Sequence, residues 1–207
     1  ATSNRTNERG VFCNGTDNTS LYNTIDYITI SSTGNATDFG DDGYTRQYNA
    51  AASNATDESG VIGGGQTAAL TNIGAVSRFN ISTTGNAVGV GLLTVSRSSL
   101  SATSNATNNR AVFGGGHNAT LSVTIDYFTI TAATPVSASD FGDLTSTSRQ
   151  FVAATSNGVN ERGVFAGGIS FPYNSIIDYI TISTTGNATD FGDLAAGQYG
   201  PGACSNA

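Results

Sequence analysis

Carboxylates recur along this chain at spacings that could bind a cation or a sugar. Asp26, Asp38 and Asp41 fall within one short stretch, and equivalent aspartates return within 126–143 and 178–193. Clustered carboxylate oxygens are the ligands that hard cations such as Ca²⁺ prefer. The structural alternative is that these aspartates accept hydrogen bonds from backbone N–H groups in turns, or form ion pairs with nearby arginines. We favour the structural alternative and predict no metal site.

Three arginines follow the aspartates and could pair with them: Arg46, Arg97 and Arg149. The second repeat of the chain tests this pairing, because it has Ser77, Gly89 and Leu92 where the fourth repeat has aspartates. All three aspartates are lost together, which suggests that they work together. Arg97 remains at the end of that repeat, which weakens the pairing slightly.

Other catalytic chemistry has few candidates. His117 is the single histidine, so a histidine-centred triad has one candidate centre, and Cys and His residues lack metal-ligand spacing. Gly114–Gly116 end an apolar stretch and no Lys-Ser/Thr follows, so a phosphate-binding loop is not indicated. Paired carboxylates could hydrolyse glycosides, but these aspartates recur with the repeat, which packing explains more simply. We therefore predict a protein that is not an enzyme and has no cofactor.

Composition excludes further classes of protein. The chain has 207 residues, no lysine, only 11% charged residues and a net charge of −7, so it lacks a basic surface for nucleic acid. It has no apolar run approaching the roughly 18–20 residues of a membrane span. Thr, Val, Ile, Tyr and Phe in short runs favour strands, while Gly, Asn, Asp and Ser favour turns. The sequence predicts an all-β fold.

Self-comparison reveals four repeats. The tetrapeptide ending in Asn4, Asn54, Asn105 and Asn157 returns at steps of 50, 51 and 52 residues. Each copy precedes a turn, a GVF-like strand, a glycine-rich break, an IDYITI-like strand, an STTGNA-like turn and a DFGD-like strand. A period near 50 residues with four short strands per unit is typical of propeller blades. We predict one β-propeller domain over 1–207, with repeats 1–50, 51–101, 102–153 and 154–207.

Individual segments fit that prediction. Bulky residues occupy both faces of the IDYITI strand, as expected when a sheet is covered on both sides. The DFGD strand is short and carries one large aromatic residue, which suits an outer edge strand.

These motifs resemble a kelch-type blade, and the wording GGG followed by IDYITISTTGNATDFGDL is similar to kelch-like repeat proteins of marine and cyanobacterial tailed phages. The resemblance covers the whole chain. It departs at the tryptophan usual in the fourth strand, where this chain has Phe39, Phe141 and Phe191, and at the first glycine pair, which is replaced by Cys13-Asn14. The resemblance implies a kelch-like propeller in a tail-fibre or virion surface protein.

The ends of the chain leave two alternatives for the ring. The last residues repeat the strand-one motif, so either four blades close with two segments competing for one strand position, or the chain is an excerpt from a larger propeller. Cys13 and Cys204 lie near opposite ends. They either form a disulfide or are two unrelated small residues.

The segment after the glycines differs between repeats, and constant strands with varied loops are how a scaffold presents a recognition surface. Tyr22, His117, Phe171 and Tyr173 lie in these loops and are the candidate ligand-binding residues, since aromatic rings can stack on sugars. The alternative is that they pack over blade edges. Further aromatics outside these loops are expected in the core: Tyr44, Tyr48 and Tyr199.

We therefore expect a non-enzymatic virion or extracellular protein that binds a host cell-surface glycan or receptor through variable loops, with multivalent display supplying affinity. One alternative is a structural decoration or assembly module that binds other virion proteins. Another is a secreted cellular adhesin glycosylated at some of the nine N-x-S/T triplets. An oligomer is compatible with each alternative.

Overall fold

The structure is a computed structural model that describes residues 1–3, 8–54, 58–105, 108–133, 136–145, 148–157 and 161–204. Over these ranges the chain is all-β and contains no helix, so the described part has none that could cross a membrane. The strands form four four-stranded antiparallel sheets and one small two-stranded ribbon.

Each large sheet takes its strands from one consecutive stretch of chain. The first sheet contains β1 (Thr2–Ser3), β2 (Arg9–Thr16), β3 (Leu21–Thr29) and β4 (Thr37–Asp41). The second contains β5 (Ala50–Ser53), β6 (Ser59–Gly63), β7 (Ala75–Asn80) and β8 (Val88–Leu92). The third contains β9 (Ser101–Thr103), β10 (Arg110–Gly114), β13 (Thr124–Thr129) and β14 (Ser139–Asp143). The fourth contains β15 (Ala153–Ser156), β16 (Arg162–Ala166), β17 (Ile176–Thr181) and β18 (Thr189–Asp193).

All four sheets are simple meanders, in which each strand pairs with the next strand of the same sheet. β5, β9 and β15 begin within one residue of the repeat starts at 51, 102 and 154. The ribbon of β11 (His117–Asn118) and β12 (Thr120–Leu121) belongs to the loop between β10 and β13. A bulge recurs between the third and fourth strands of every sheet, for example between Ile25 and Asp26.

In sheets two to four, the glycine-rich break after the second strand is a left-handed turn. Gly64, Gly115 and Gly167 have φ of 67°, 67° and 65°, a region that residues with a Cβ seldom occupy. In the first sheet Asn14 takes this position with φ of 58°, and asparagine tolerates it better than most residues. The first sheet therefore keeps the left-handed residue, but β2 continues through it to Thr16 with a bulge between Cys13 and Gly15.

Three hydrophobic cores lie between consecutive sheets, because each interior sheet buries both faces. Val11, Ile25 and Phe39 pack against Ile62 and Phe79 between the first and second sheets. The second core joins sheets two and three, and includes Val61, Val76, Phe113 and Phe128. The third joins sheets three and four, and includes Val112, Phe141, Phe165 and Ile180. The prediction that strands would be covered on both faces is confirmed for the interior sheets.

The first strands of neighbouring sheets lie side by side, with β5 contacting β1 and β9, and β9 contacting β15. A serine ladder runs along them. The hydroxyl of Ser53 donates to the carbonyl of Ser3, that of Ser104 donates to Ser53, and that of Ser156 donates to Ser104. The sheets thus form a row of four layers.

The row does not close. Phe12 on the first sheet is 48% exposed and Phe191 on the fourth is 54% exposed, whereas Phe113 and Phe165, the equivalents of Phe12, are fully buried. The all-β class with four four-stranded sheets is established, and the outer faces of the first and last sheets are open to solvent.

Candidate functional site

Buried ion pairs account for two of the recurrent aspartates. The Arg97 guanidinium pairs with Asp126, and that of Arg149 pairs with Asp178; all four side chains are almost completely buried. Each pair crosses from one sheet to the next, so the arginine of a repeat meets the aspartate of the repeat that follows. Asp126 also accepts a hydrogen bond from the hydroxyl of Thr94. These carboxylates are engaged in stabilising sheet contacts.

The first interface uses a different arrangement for the same purpose. Ser77 stands where Asp126 and Asp178 would be, and the carboxylate comes from Asp42 instead. Asp42 Oδ2 accepts from Arg46 Nε at 2.8 Å, and Asp42 Oδ1 accepts from the Ser77 hydroxyl at 2.6 Å. The idea that Arg97 argues against ion pairing is therefore wrong, because its partner is in the following repeat and the repeat without the aspartate has a substitute.

Burial lowers the pKa of the Arg46 guanidinium, and the charge of Asp42 opposes this change. Arg46 also donates to the carbonyls of Gly64 at 3.0 Å and Ala75 at 2.7 Å. Its charge is thus distributed over one carboxylate and several backbone acceptors, which is what a buried guanidinium needs.

Two further aspartates bond the backbone of their own strand. Asp38 Oδ1 accepts from the Gly40 N–H at 3.1 Å, and Asp190 Oδ1 accepts from the Gly192 N–H at 3.1 Å. These are the backbone caps that the structural interpretation predicted. The aspartates do not work together as a unit, since Asp126 and Asp178 bind arginines while Asp38 and Asp190 bind backbone N–H groups. Within the described ranges, no three or more His, Cys, Asp or Glu residues are arranged to hold a metal ion.

The four predicted loop residues lie at different places. Phe171 and Tyr173 are exposed in the loop between β16 and β17. Tyr22 is exposed in the first sheet, where its hydroxyl donates to Asp17 at 2.8 Å; that bond raises the pKa of Tyr22. His117 is half-buried, and its backbone pairs with Ser98. Tyr22 and His117 are in none of the ring contacts that Tyr173 makes.

Four aromatic rings meet in a row that we call the aromatic ledge: Tyr48, Phe151, Tyr199 and Tyr173. The ring centroids of Tyr48 and Phe151 are 5.7 Å apart, those of Phe151 and Tyr199 4.9 Å, and those of Tyr173 and Tyr199 6.4 Å. The three tyrosines are exposed and Phe151 is half-buried. A continuous row of partly exposed rings offers flat apolar faces with phenol groups at their edges.

The position of Tyr48 and Tyr199 corrects the sequence prediction, which placed them with Tyr44 in the core; all three are exposed. The arginine of each repeat takes the buried position instead, and the residue two places later has a left-handed backbone, with φ of 56° at both Tyr48 and Phe151. Their backbones are joined through Ser99, whose N–H donates to Tyr48 and whose carbonyl accepts from Phe151, both at 2.8 Å. The small Ser99 leaves room for the two rings to meet above it.

This ledge had a signal in the sequence. Arg46-Gln-Tyr48 and Arg149-Gln-Phe151 share the pattern Arg-Gln-aromatic, whereas in the fourth repeat Gln198 takes the place of the arginine and Gly200, with φ of 55°, takes the place of Phe151. The register is fixed by a repeated hydrogen bond: the carbonyls of Arg97, Arg149 and Gln198 each accept from the last glycine of their own turn. The pattern indicates two of the four rings, while Tyr199 joins them from the position before the repeated one and Tyr173 from a separate loop.

A polar groove lies beside the His117 loop. It has a volume of about 290 Å³ and is lined mainly by Asn118, Thr120, Ser122, Thr124 and Ser148. Hydroxyl and amide groups dominate it and no aromatic ring lines it, so it offers hydrogen bonds without a stacking surface.

The two cysteines are free thiols in the structure, and the disulfide proposed between them is not formed. Cys13 is half-buried on β2 and Cys204 is exposed. Burial raises the pKa of the Cys13 thiol to about 12, so this thiol stays protonated at neutral pH.

Several of the N-x-S/T asparagines make structural hydrogen bonds, among them Asn14 and Asn187, and two of the set are buried. Asn54 and Asn105 are buried, and Asn54 Nδ2 donates to Asn109 at 3.0 Å. Asn4, another member of the set, lies outside the described residues.

Comparison with known proteins leaves the family open. No protein-family model matches the chain, and no curated protein matches its sequence.

Proposed function

We propose that the chain is a non-enzymatic binding module that recognises a glycan on a host cell surface through the aromatic ledge. The observation that carries the proposal is the row of exposed rings at Tyr48, Tyr173 and Tyr199. Sugars present flat patches of C–H groups that stack on aromatic faces, and tyrosine hydroxyls bond the ring substituents. The ledge takes residues from the first, third and fourth repeats, so the folded row of sheets positions it.

The fold we propose for this module is a kelch-like β-propeller. Support comes from the taper of the layers: first strands carry small residues such as Ala50, Ala52 and Ala154, while fourth strands carry Phe39 and Phe141. Small side chains allow neighbouring sheets to lie close together at their first strands, and large side chains hold them further apart at their fourth strands. Such sheets would diverge from the first strands outward, as propeller blades do. The resemblance to tailed-phage kelch-like proteins supports a virion location, with other virion proteins as further partners.

The test is a glycan array probed with the chain displayed on a multivalent carrier. We expect binding to a subset of glycans, which Tyr199→Ala and Tyr173→Ala each weaken by roughly tenfold, the effect of losing about 1.4 kcal/mol of stacking. Tyr22→Ala is the matched control, because Tyr22 is an exposed tyrosine in the first sheet that takes no part in the ledge's ring contacts.

Weakened binding in both ledge variants together with retained binding in Tyr22→Ala assigns the site to the ledge, and normal binding in both ledge variants contradicts it. Loss of binding in Tyr22→Ala with normal binding in both ledge variants would contradict it. Absence of glycan binding by the unmodified chain, together with stoichiometric incorporation into particles, would favour the assembly role instead.

A further inference from the structure

The outer faces of the two end sheets are the two halves of one kind of interface. Phe12 and Ile30 on the first sheet are 48% and 60% exposed, and Phe191 on the fourth is 54% exposed. The equivalent residues inside the row are buried. The counterparts of Ile30 are 0% exposed: Ile81, Ile130 and Ile182. The counterparts of Phe191 in the first and third sheets, Phe39 and Phe141, are 2% exposed. We call these surfaces the leading face (first sheet) and the trailing face (fourth sheet).

Inside the chain, each trailing side meets the next leading side through a repeated set of contacts. Arg9 donates to the Ile81 carbonyl at 2.7 Å, and Arg110 donates to the Ile182 carbonyl at 2.9 Å. At the edge, the Phe39 carbonyl accepts from Gly85 N–H at 2.7 Å. The same bond joins Phe141 to Gly186 at 2.7 Å between sheets three and four.

An asparagine completes the edge contact. Asn86 Oδ1 accepts from the Asp41 N–H at 3.0 Å, and Asn187 Oδ1 accepts from the Asp143 N–H at 3.1 Å. The STTGNA turn of one repeat therefore fastens the fourth strand of the preceding repeat. In these contacts the leading face supplies an isoleucine carbonyl and the glycine-asparagine turn, and the trailing face supplies an arginine and the backbone of the fourth strand.

The trailing face of the fourth sheet retains the residues for this contact. Arg162 lies over Tyr179 at 4.5 Å, as Arg9 lies over Tyr27 at 4.5 Å and Arg110 over Tyr127 at 4.4 Å. Gly192 has φ of 135°, and a Cβ there would meet nothing within 4 Å.

Glycine at the corresponding interior positions makes room for the next sheet. A Cβ at Gly40 would lie 2.6 Å from the Gly85 carbonyl carbon, and one at Gly142 would lie 2.5 Å from Gly186. Gly192 thus keeps the clearance that a following STTGNA-type turn requires.

The leading face of the first sheet carries the partner groups. Ile30 offers the carbonyl for an arginine, and Gly34, Asn35 and Ala36 repeat the turn that fastens a fourth strand elsewhere. Ala36 is exposed, while Ala87, Ala138 and Ala188 at the same position are buried.

We propose that the trailing face of one copy of this chain docks on the leading face of a second copy, and that two copies close a ring of eight sheets. Both surfaces are on the same chain and match contacts that it makes at its first and third internal interfaces. Propellers contain roughly four to eight blades, so two copies fit within that range and three do not. Head-to-tail contacts of this kind close into a ring where the rotation allows.

Two residues make this junction looser than the internal ones. Gln198 occupies the position of Arg97 and Arg149, so it would face Asp26 without a positive charge. Ala166 occupies the position of Gly63 and Gly114, where a Cβ would lie 2.6 Å from the Phe113 or Phe165 ring. The junction is therefore expected to be reversible, and Gln198→Arg should tighten it by about tenfold by supplying the ion pair.

The test is molar mass by light scattering or sedimentation across the micromolar range. We expect a concentration-dependent rise toward twice 21.0 kDa. Phe12→Glu damages only the leading face and Phe191→Glu only the trailing face, and each should leave a monomer. Leu70→Glu is the control, because Leu70 is an exposed apolar residue in the loop between β6 and β7 and belongs to neither face.

Mixing the two variants is the decisive step. The Phe12→Glu copy has an intact trailing face and the Phe191→Glu copy an intact leading face, so an equimolar mixture should recover a dimer with one junction. A monomeric unmodified chain, a dimer that survives either variant, or a mixture that stays monomeric would each overturn the proposal. Thermal unfolding like that of the control variant verifies that the variants are folded.

Discussion

At the scale of residues, the first interface shows how one buried charge is moved without being lost. Asp42 occupies the position of Leu93, Leu144 and Leu194. Ser77 lacks the carboxylate that other repeats have at this position, and Asp42 supplies one instead. The two substitutions compensate each other, because both side chains contact the guanidinium of Arg46. A second substitution of this kind is Arg78, which donates to the Ile130 carbonyl at 3.0 Å and so replaces an arginine absent at Ser59.

We predict that Asp42→Leu destabilises the chain by about 3–5 kcal/mol, because it leaves Arg46 buried without a carboxylate. Adding Ser77→Asp should restore most of the loss, since the carboxylate then takes the position of Asp126 and Asp178. Denaturant unfolding of the single and double variants measures both effects. A double variant no more stable than Asp42→Leu alone would contradict this account.

Sequence reasoning identified these residues and misassigned their partners. A repeat reveals which positions vary together, so the arginines and aspartates could be singled out. It does not reveal that an arginine reaches into the following repeat, because that contact depends on how sheets stack. Asp42 therefore passed unnoticed as a compensating residue, and the exposed rings of Tyr48 and Tyr199 were expected in the core.

At the scale of elements, the fourth strand of one repeat and the turn before the fourth strand of the next repeat bond each other at the first and third interfaces. The strand edge offers carbonyls and an N–H group, and the glycine-asparagine turn of the next repeat bonds them. The sequence predicted the strands, the tight turn and the burial on both faces from alternation and turn residues. The asparagine of this turn also bonds the fourth strand of the preceding repeat. That contact was not predictable from one repeat, because the strand belongs to another.

We predict that Gly142→Ala destabilises the chain by about 1–3 kcal/mol more than Gly192→Ala, because it drives a Cβ into the Gly186 backbone. The two glycines have φ of 144° and 135°, so backbone strain is similar and the difference isolates the clash between sheets. Thermal or denaturant unfolding in dilute solution measures it. Equal losses would show that backbone conformation alone retains these glycines.

At the scale of the whole molecule, the three cores make stability a property of neighbouring layers. Each core joins two consecutive sheets, and no described sheet has a core of its own. The period in the sequence predicted this modular architecture, whereas the openness of the row could not be predicted, since one repeat is compatible with several ring sizes.

We predict that backbone amides of β6, β7, β10 and β13 exchange with solvent more slowly than those of β2, β3, β17 and β18 in dilute solution. The interior sheets are covered on two faces and the end sheets on one, so the ends open at lower free energy. Hydrogen exchange read by mass spectrometry measures the profile. Uniform protection along the chain would contradict the layered account.

The serine ladder also gives the molecule a polarity. Each hydroxyl donates toward the sheet that precedes it, so the hydrogen bonds of Ser53, Ser104 and Ser156 form a one-way series. The two ends of the series therefore differ, since the first sheet ends it with a hydroxyl donor and the fourth with a carbonyl acceptor. Two copies arranged head to tail place a donor next to an acceptor and can continue the series. Two copies arranged head to head place donor next to donor and cannot. The serine hydrogen bonds therefore favour one orientation, head to tail, for any further sheet that is added to the row.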